Sequence, residues 1–220
     1  MSNLREAVIA SLPPGMALPE PIDRLLAWMD VNGFARRMRR SGTLYAQLSA
    51  PDDPEPASSI VSIAPSEPDY VEGWVGSDPA ARDRLANLVR TGGDGSYACL
   101  WRDDAGGTRF VHLGSGSGST MLCTLTTDPV DFLRLLAIGY VELCWPEQFP
   151  FAPEDVDEDA VRAPARLRRW VEQEFGVAIP RTASEIVPRP RSMDDDDDGG
   201  DPFVIWLRAA QEARDAGGGA

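Results

Sequence analysis

From Asp128 to Gly139 the chain reads Asp-Pro-Val-Asp-Phe-Leu-Arg-Leu-Leu-Ala-Ile-Gly, and no other stretch restricts the fold as much. Asp128 offers a side-chain oxygen to cap a helix, and Pro129 fits the first turn, where its missing N–H is not needed. Asp131 sets negative charge at the positive end of that helix. Phe132, Leu133, Leu135, Leu136, Ala137 and Ile138 then leave almost no polar face. A helix apolar nearly all round must be enclosed by other elements. Gly139 ends it.

The enclosing elements are legible in part. Ile22, Leu25, Leu26 and Met29 fall at i, i+3, i+4 and i+7, so Pro19 to Val31 reads as an amphipathic helix closed by Asn32-Gly33. Leu44 to Leu48, Ile60 to Ile63 and Tyr70 to Val75 read as short strands. Ser77 or Asp78 caps a second helix, with Pro79 in its first turn, Ala81, Leu85, Leu88 and Val89 on its buried face and Gly92-Gly93 as its stop. Tyr97 to Trp101, a turn at Asp103 to Gly107 and Arg109 to Leu113 make a hairpin. Gly114 to Ser119 reads as a flexible loop and Thr120 to Leu125 as a third strand. After Trp145 the composition shifts: Glu154 to Asp159 holds five acids and no base. A helix follows from Pro164 to Phe175, with Leu167, Trp170, Val171 and Phe175 on one face. Asp194 to Asp198 is disordered by mutual repulsion, and Pro202 to Ala213 is a last helix. The fold class is α+β: an antiparallel sheet with helices packed on one side, plus a C-terminal helical extension. Residues 1–150 form the domain, and residues 151–220 are an acidic, helical extension packed on it.

At 220 residues and 43% hydrophobic content the chain can bury a sizeable core. No apolar run approaches the ~20 residues of a membrane helix. The net charge of −14 repels nucleic acid and anionic membranes and attracts a basic partner. All 21 basic residues are Arg, which removes Schiff-base and P-loop lysines from consideration. Cys99, Cys123 and Cys144 are odd in number, form no CxxC pair and sit in apolar stretches, so they read as buried reduced thiols of a cytoplasmic protein.

Catalytic and metal chemistry find little footing. His112, the only histidine, lies between Val111 and Leu113 and reads as a core residue rather than a general base. Gly114-Ser115-Gly116-Ser117-Gly118 lacks a phosphate-loop Lys and carries Gly116 where a nucleophile elbow needs serine. The Asp run has no EF-hand spacing. No catalytic residue, cofactor or metal is therefore expected. The Arg36, Arg37, Arg39 and Arg40 cluster is expected to pair with acidic loops of the same chain. Trp28, Trp101 and Trp170 read as core, while Trp74 and Trp145, beside Gly or Pro, are alternatives between core and partner anchor.

Several of these segments resemble the SUKH superfamily, whose members include Syd and Smi/Knr-type proteins. The matching residues are Leu18-Pro19, Asn32-Gly33, Gly95-Ser96-Tyr97-Ala98, Trp101, Val111-His112-Leu113-Gly114 and the block Asp131 to Gly139. The likeness covers residues 12 to 145. It implies an α+β binding scaffold without a catalytic centre, of the kind that serves as an immunity protein against a cognate toxin, or else as an intracellular regulatory adaptor. With the acidic charge, the expected partner is a basic toxin, such as a nuclease or another enzyme acting on an anionic substrate. The expected contact is one patch of acidic loops around apolar anchors, at Asp52, Asp53, Glu55, Asp103, Asp104, Asp155, Asp157 and Glu158.

Overall fold

The computed structural model describes residues 3–156 and 161–217. In chain order the elements are α1 (Leu4–Ser11), α2 (Glu20–Val31), β1 (Ala35–Arg37), β2 (Leu44–Gln47), β3 (Ser62–Ile63), α3 (Pro68–Val75) and α4 (Pro79–Arg82). They continue as β4 (Leu85–Arg90), β5 (Tyr97–Arg102), β6 (Thr108–Leu113), β7 (Leu122–Thr126), α5 (Pro129–Ile138), α6 (Pro153–Val156), α7 (Ala165–Phe175) and α8 (Pro202–Gly217). The seven strands pair antiparallel in sequence order, each beside the strand that follows it, with α3 and α4 inserted between β3 and β4. The α+β class and the antiparallel sheet hold as expected.

The helix α5 lies in the larger core, with Phe132 stacked on Phe110 of β6 at 4.2 Å between ring centroids. Phe132, Leu133, Leu135, Leu136, Ala137 and Ile138 are all buried, and Asp128 caps the helix by accepting from Val130 N–H. Gly139 ends it at φ 96°, a conformation in which a Cβ would be strained. The helices α1, α2, α5 and α7 share that core on one face of the sheet. On the other face, Leu85, Cys99, Trp101, Val111, Leu113 and Leu122 meet α3 and α8 through Val71, Val75, Phe203, Val204 and Leu207. The helical extension thus does two jobs: α7 joins the expected helical side, and α8 covers the opposite face of β4 to β7.

That second layer explains two corrections. Leu85 to Arg90 is a strand, not the continuation of a helix. Ala81, Leu85, Leu88 and Val89 do fit a helical stripe, but every residue from Leu85 to Val89 is buried. A strand covered on both faces gives that pattern; an amphipathic helix does not. The register shift between Asn87 and Val89 turns Leu88 and Val89 to the same core. The helix begun at Asp78 stops at Arg82. Tyr70 to Val75, in turn, is helical: Pro68 starts it, and Val71 and Val75, four residues apart, make its buried stripe. Its aromatic and β-branched residues had the look of a strand. The N-terminal helix α1 is not among the elements that the sequence predicts. Asn3 and Glu6 form a capping box, and Asp30 of α2 accepts from the N–H groups of Leu4 and Arg5 at 3.0 Å.

Two loops expected to be loose are tied down. Asp94 accepts from Ser115 Oγ and Ser119 N–H at 2.8 Å, which pins the Gly114–Ser119 loop. The Asp run is folded into turns: Arg191 pairs with Asp195 and Asp197, and Arg208 donates to Asp195 O. The repulsion among its carboxylates is offset by these guanidinium groups.

Candidate partner-binding surface

The antiparallel register sorts the loops between the two ends of the sheet. Ser62 opposes Arg90, Arg90 opposes Tyr97, Tyr97 opposes Leu113 and Leu113 opposes Leu122. The β2–β3, β4–β5 and β6–β7 connections therefore share one end, and the β5–β6 turn lies at the other. Asp103 and Asp104 sit in that far turn, so the eight acids expected to form one patch do not. Asp103 holds the turn itself, accepting from Ala105 N–H, Gly107 N–H and Arg109 Nε. The Arg109 guanidinium and these amides keep its carboxyl below the ordinary value. Asp104 is exposed and pairs with Arg84 at 2.8 Å.

At the first end the segments after β2 and after α5 are laced together. Ile60 N–H donates to Val141 O at 2.9 Å, Ser58 N–H to Arg162 O at 2.9 Å, and Arg162 Nε to Pro56 O at 3.0 Å. Asp53 is an internal strut, accepting from Arg166 at 2.8 Å and from Ala50 N–H at 2.8 Å. Asp52 and Glu55 are exposed on the same loop. Asp155, in α6, pairs with Arg181 at 3.1 Å. Asp157 and Glu158 lie outside the described residues.

Next to α6, which carries Glu154 and Asp155, is a hollow of about 140 Å³ lined by Tyr140, Val141, Glu142, Trp145, Gln148, Pro153 and Val156. Glu142 fixes its wall: one oxygen accepts from Gly93 N–H at 2.6 Å and the other from Trp145 Nε1 at 2.6 Å. The indole is thereby held half-buried at the surface, with its N–H satisfied and its ring available. Tyr140 is locked by donating to Phe151 O and accepting from Ala183 N–H. Ile60 and Phe151, 43% and 55% exposed, are two of the large apolar residues that remain in solvent, and both lie on segments that border the hollow. Of the two tryptophans left between core and surface by the sequence, Trp145 is half-buried beside the hollow and Trp74 packs against the second core. The Glu142–Trp145 bond had no signal in the sequence, since a Glu three residues before a Trp is unremarkable.

Beneath this surface is a buried polar network. His112, fully buried, donates from Nδ1 to Met121 O at 2.9 Å, so Nε2 accepts from Thr91 Oγ1 at 2.8 Å. Burial pushes its pKa down to about 4, against the pull of the Met121 carbonyl. A neutral imidazole with both nitrogens occupied by the fold has no free nitrogen for proton transfer to a substrate. Burial raises Asp94, but the amides of Ser119 and Ser96 and the hydroxyls of Ser115 and Ser96 outweigh it and bring it to about 2. All three cysteines are buried and unpaired, and burial raises their thiols, that of Cys123 to about 12. Among the described residues no group of three or more His, Cys, Asp or Glu is placed to hold a metal ion. No described helix is long and apolar enough to cross a membrane. No protein-family model, curated protein or solved structure matches this chain.

Proposed function

We propose that this protein is a binding protein that neutralises a basic cognate toxin in the cytoplasm by stoichiometric occlusion, as an immunity protein does. The observation that carries the reading is the hollow at Trp145: an aromatic ring fixed by Glu142, flanked by exposed Ile60 and Phe151, and bordered by α6, whose Pro153 and Val156 line it and which carries Glu154 and Asp155. A rigid apolar centre with a charged rim is the arrangement of a protein-binding hot spot. The net charge of −14 supplies long-range attraction for a basic partner. The resemblance of residues 12 to 145 to the SUKH superfamily supplies the immunity role.

An immunity gene follows its toxin gene directly, so the test uses the product encoded immediately upstream. Expressed alone in a bacterial host, that product should arrest growth, and co-expression of this protein should restore it. A Trp145→Ala variant that accumulates normally should restore growth poorly. A harmless upstream product, with tight binding to a resident host protein, would instead support the regulatory-adaptor reading.

A further inference from the structure

The two edges of the sheet are finished differently. The β7 edge is closed by the chain itself: Leu122 N–H donates to Arg191 O and Met193 N–H to Thr120 O, both at 2.8 Å, and Thr124 N–H donates to the Asp201 carboxylate at 2.7 Å. The β1 edge is bare. Met38 N–H donates to Thr43 O at 2.9 Å, and two residues back along the ladder Arg36 opposes Tyr45. Arg36 is then in the hydrogen-bonded pair, and the backbone N–H and C=O groups of Ala35 and Arg37 turn away from β2. No described strand lies along them.

The charge of this edge opposes that of the molecule. Arg36 donates to Ser49 O and Arg37 to Gly42 O, while Arg39 and Arg40 are exposed. The expected pairing of this cluster with acidic loops does not occur: among the described residues the ion pairs use other arginines. Arg36 Nε is buried without a hydrogen-bond partner. The second core belongs to β4–β7, so α3 and α8 do not extend over the face of β1 and β2 that carries Arg36 and Tyr45. Met38, 42% exposed, adds an apolar contact beside the strand.

We propose that the β1 edge takes up, by strand addition, an extended acidic segment of a partner protein. The outward groups of Ala35 and Arg37 supply main-chain pairing, which carries no sequence preference, and the arginines supply the preference. Charge alone guards a short edge against aggregation. Here it is all of one sign, so it repels the same edge of a second copy, where Arg would face Arg, and admits an acidic strand. A nucleic acid would use the arginines but leave the alternating donors and acceptors of Ala35 and Arg37 unmatched, whereas an extended peptide pairs with both.

The probes are a short synthetic peptide of alternating Glu and Val, its Lys/Val counterpart and a single-stranded oligo-dT, each titrated into the ¹⁵N-labelled full-length protein. The Glu/Val peptide should shift the Ala35 and Arg37 amides saturably and slow their hydrogen exchange, with added salt weakening the binding. The double variant Arg37→Gln/Arg39→Gln should bind it roughly tenfold more weakly at an unchanged melting temperature. Should that variant melt lower, the salt dependence of the unaltered protein decides: binding that weakens with salt supports the proposal, and indifference opposes it. The proposal is overturned if the peptide leaves these two amides unchanged, if the Lys/Val peptide protects them equally, or if oligo-dT displaces the peptide.

Discussion

His112 can be protonated only by breaking the hydrogen bond that its Nε2 accepts from Thr91 inside a dry core. The sign of the pH effect follows. Above pH 6.5 the ring is neutral folded or unfolded; between 6.5 and about 4 the unfolded chain takes up a proton that the folded chain refuses. Stability therefore falls as pH drops through that window, by an amount on the order of 3 kcal/mol from this residue. Urea titrations at a series of pH values should show this loss in the native protein and not in His112→Gln; equal slopes would refute it. His112→Ala should lose about 2–4 kcal/mol of stability, through a cavity and a carbonyl left without its donor, yet bind the partner normally per folded molecule. Asp94 works in the opposite sense to a buried neutral acid. Its depressed carboxyl stabilises the fold above its unfolded value of 3.8, a contribution lost as pH falls toward 2. Asp94→Asn removes acceptor capacity shared by two loops and should cost about 1–3 kcal/mol in thermal or urea unfolding.

At the scale of elements, the sheet depends on cover from both sides, and the two covers come from distant parts of the chain. Phe132 of α5 stacks on Phe110, while Phe203 of α8 meets Trp101 edge-on at 5.4 Å. Phe132→Ala and Phe203→Ala should each lower stability by about 3–5 kcal/mol, measured by urea unfolding. If Phe203→Ala proved neutral, α8 would be an appendage and not a structural layer. The sequence announced α5 through its cap, its proline and its unbroken apolar run, and α2 through its spacing. It misplaced Leu85 to Val89 because an apolar run flanked by a good helix start has no period of its own; only α8, more than a hundred residues later, makes both faces of that strand buried. It passed over α1 because Leu4 and Val8 are too few to form a visible stripe without Asp30 beside them. Asp52, Asp53, Glu55, Asp103 and Asp104 were recognisable as loop residues, while Asp155, expected in a loop, lies in α6; which acids are free was not legible. Asp53 and Asp103 are consumed by Arg166 and Arg109, pairings that depend on the fold. Trp145 was legible only as one of two alternatives, since its position at the surface depends on the bond to Glu142.

For the whole molecule, the proposed function divides approach and retention between charge and shape. The field of −14 charges acts on a partner before contact, so it belongs in the association rate, and the indole at Trp145 acts after contact, so it belongs in the dissociation rate. The ends of the sheet should differ as well: reversal of Asp104, which faces away from the hollow, should change association far less than reversal of Glu154 and Asp155. The most direct measurement is the kinetics of binding between the purified protein and the upstream-encoded protein, followed from low to high ionic strength. The account predicts an association rate that falls roughly tenfold over that range and further with Glu154→Arg/Asp155→Arg, while Trp145→Ala mainly speeds dissociation. An association rate indifferent to salt and to the double reversal, together with a dissociation rate indifferent to Trp145→Ala, would contradict it.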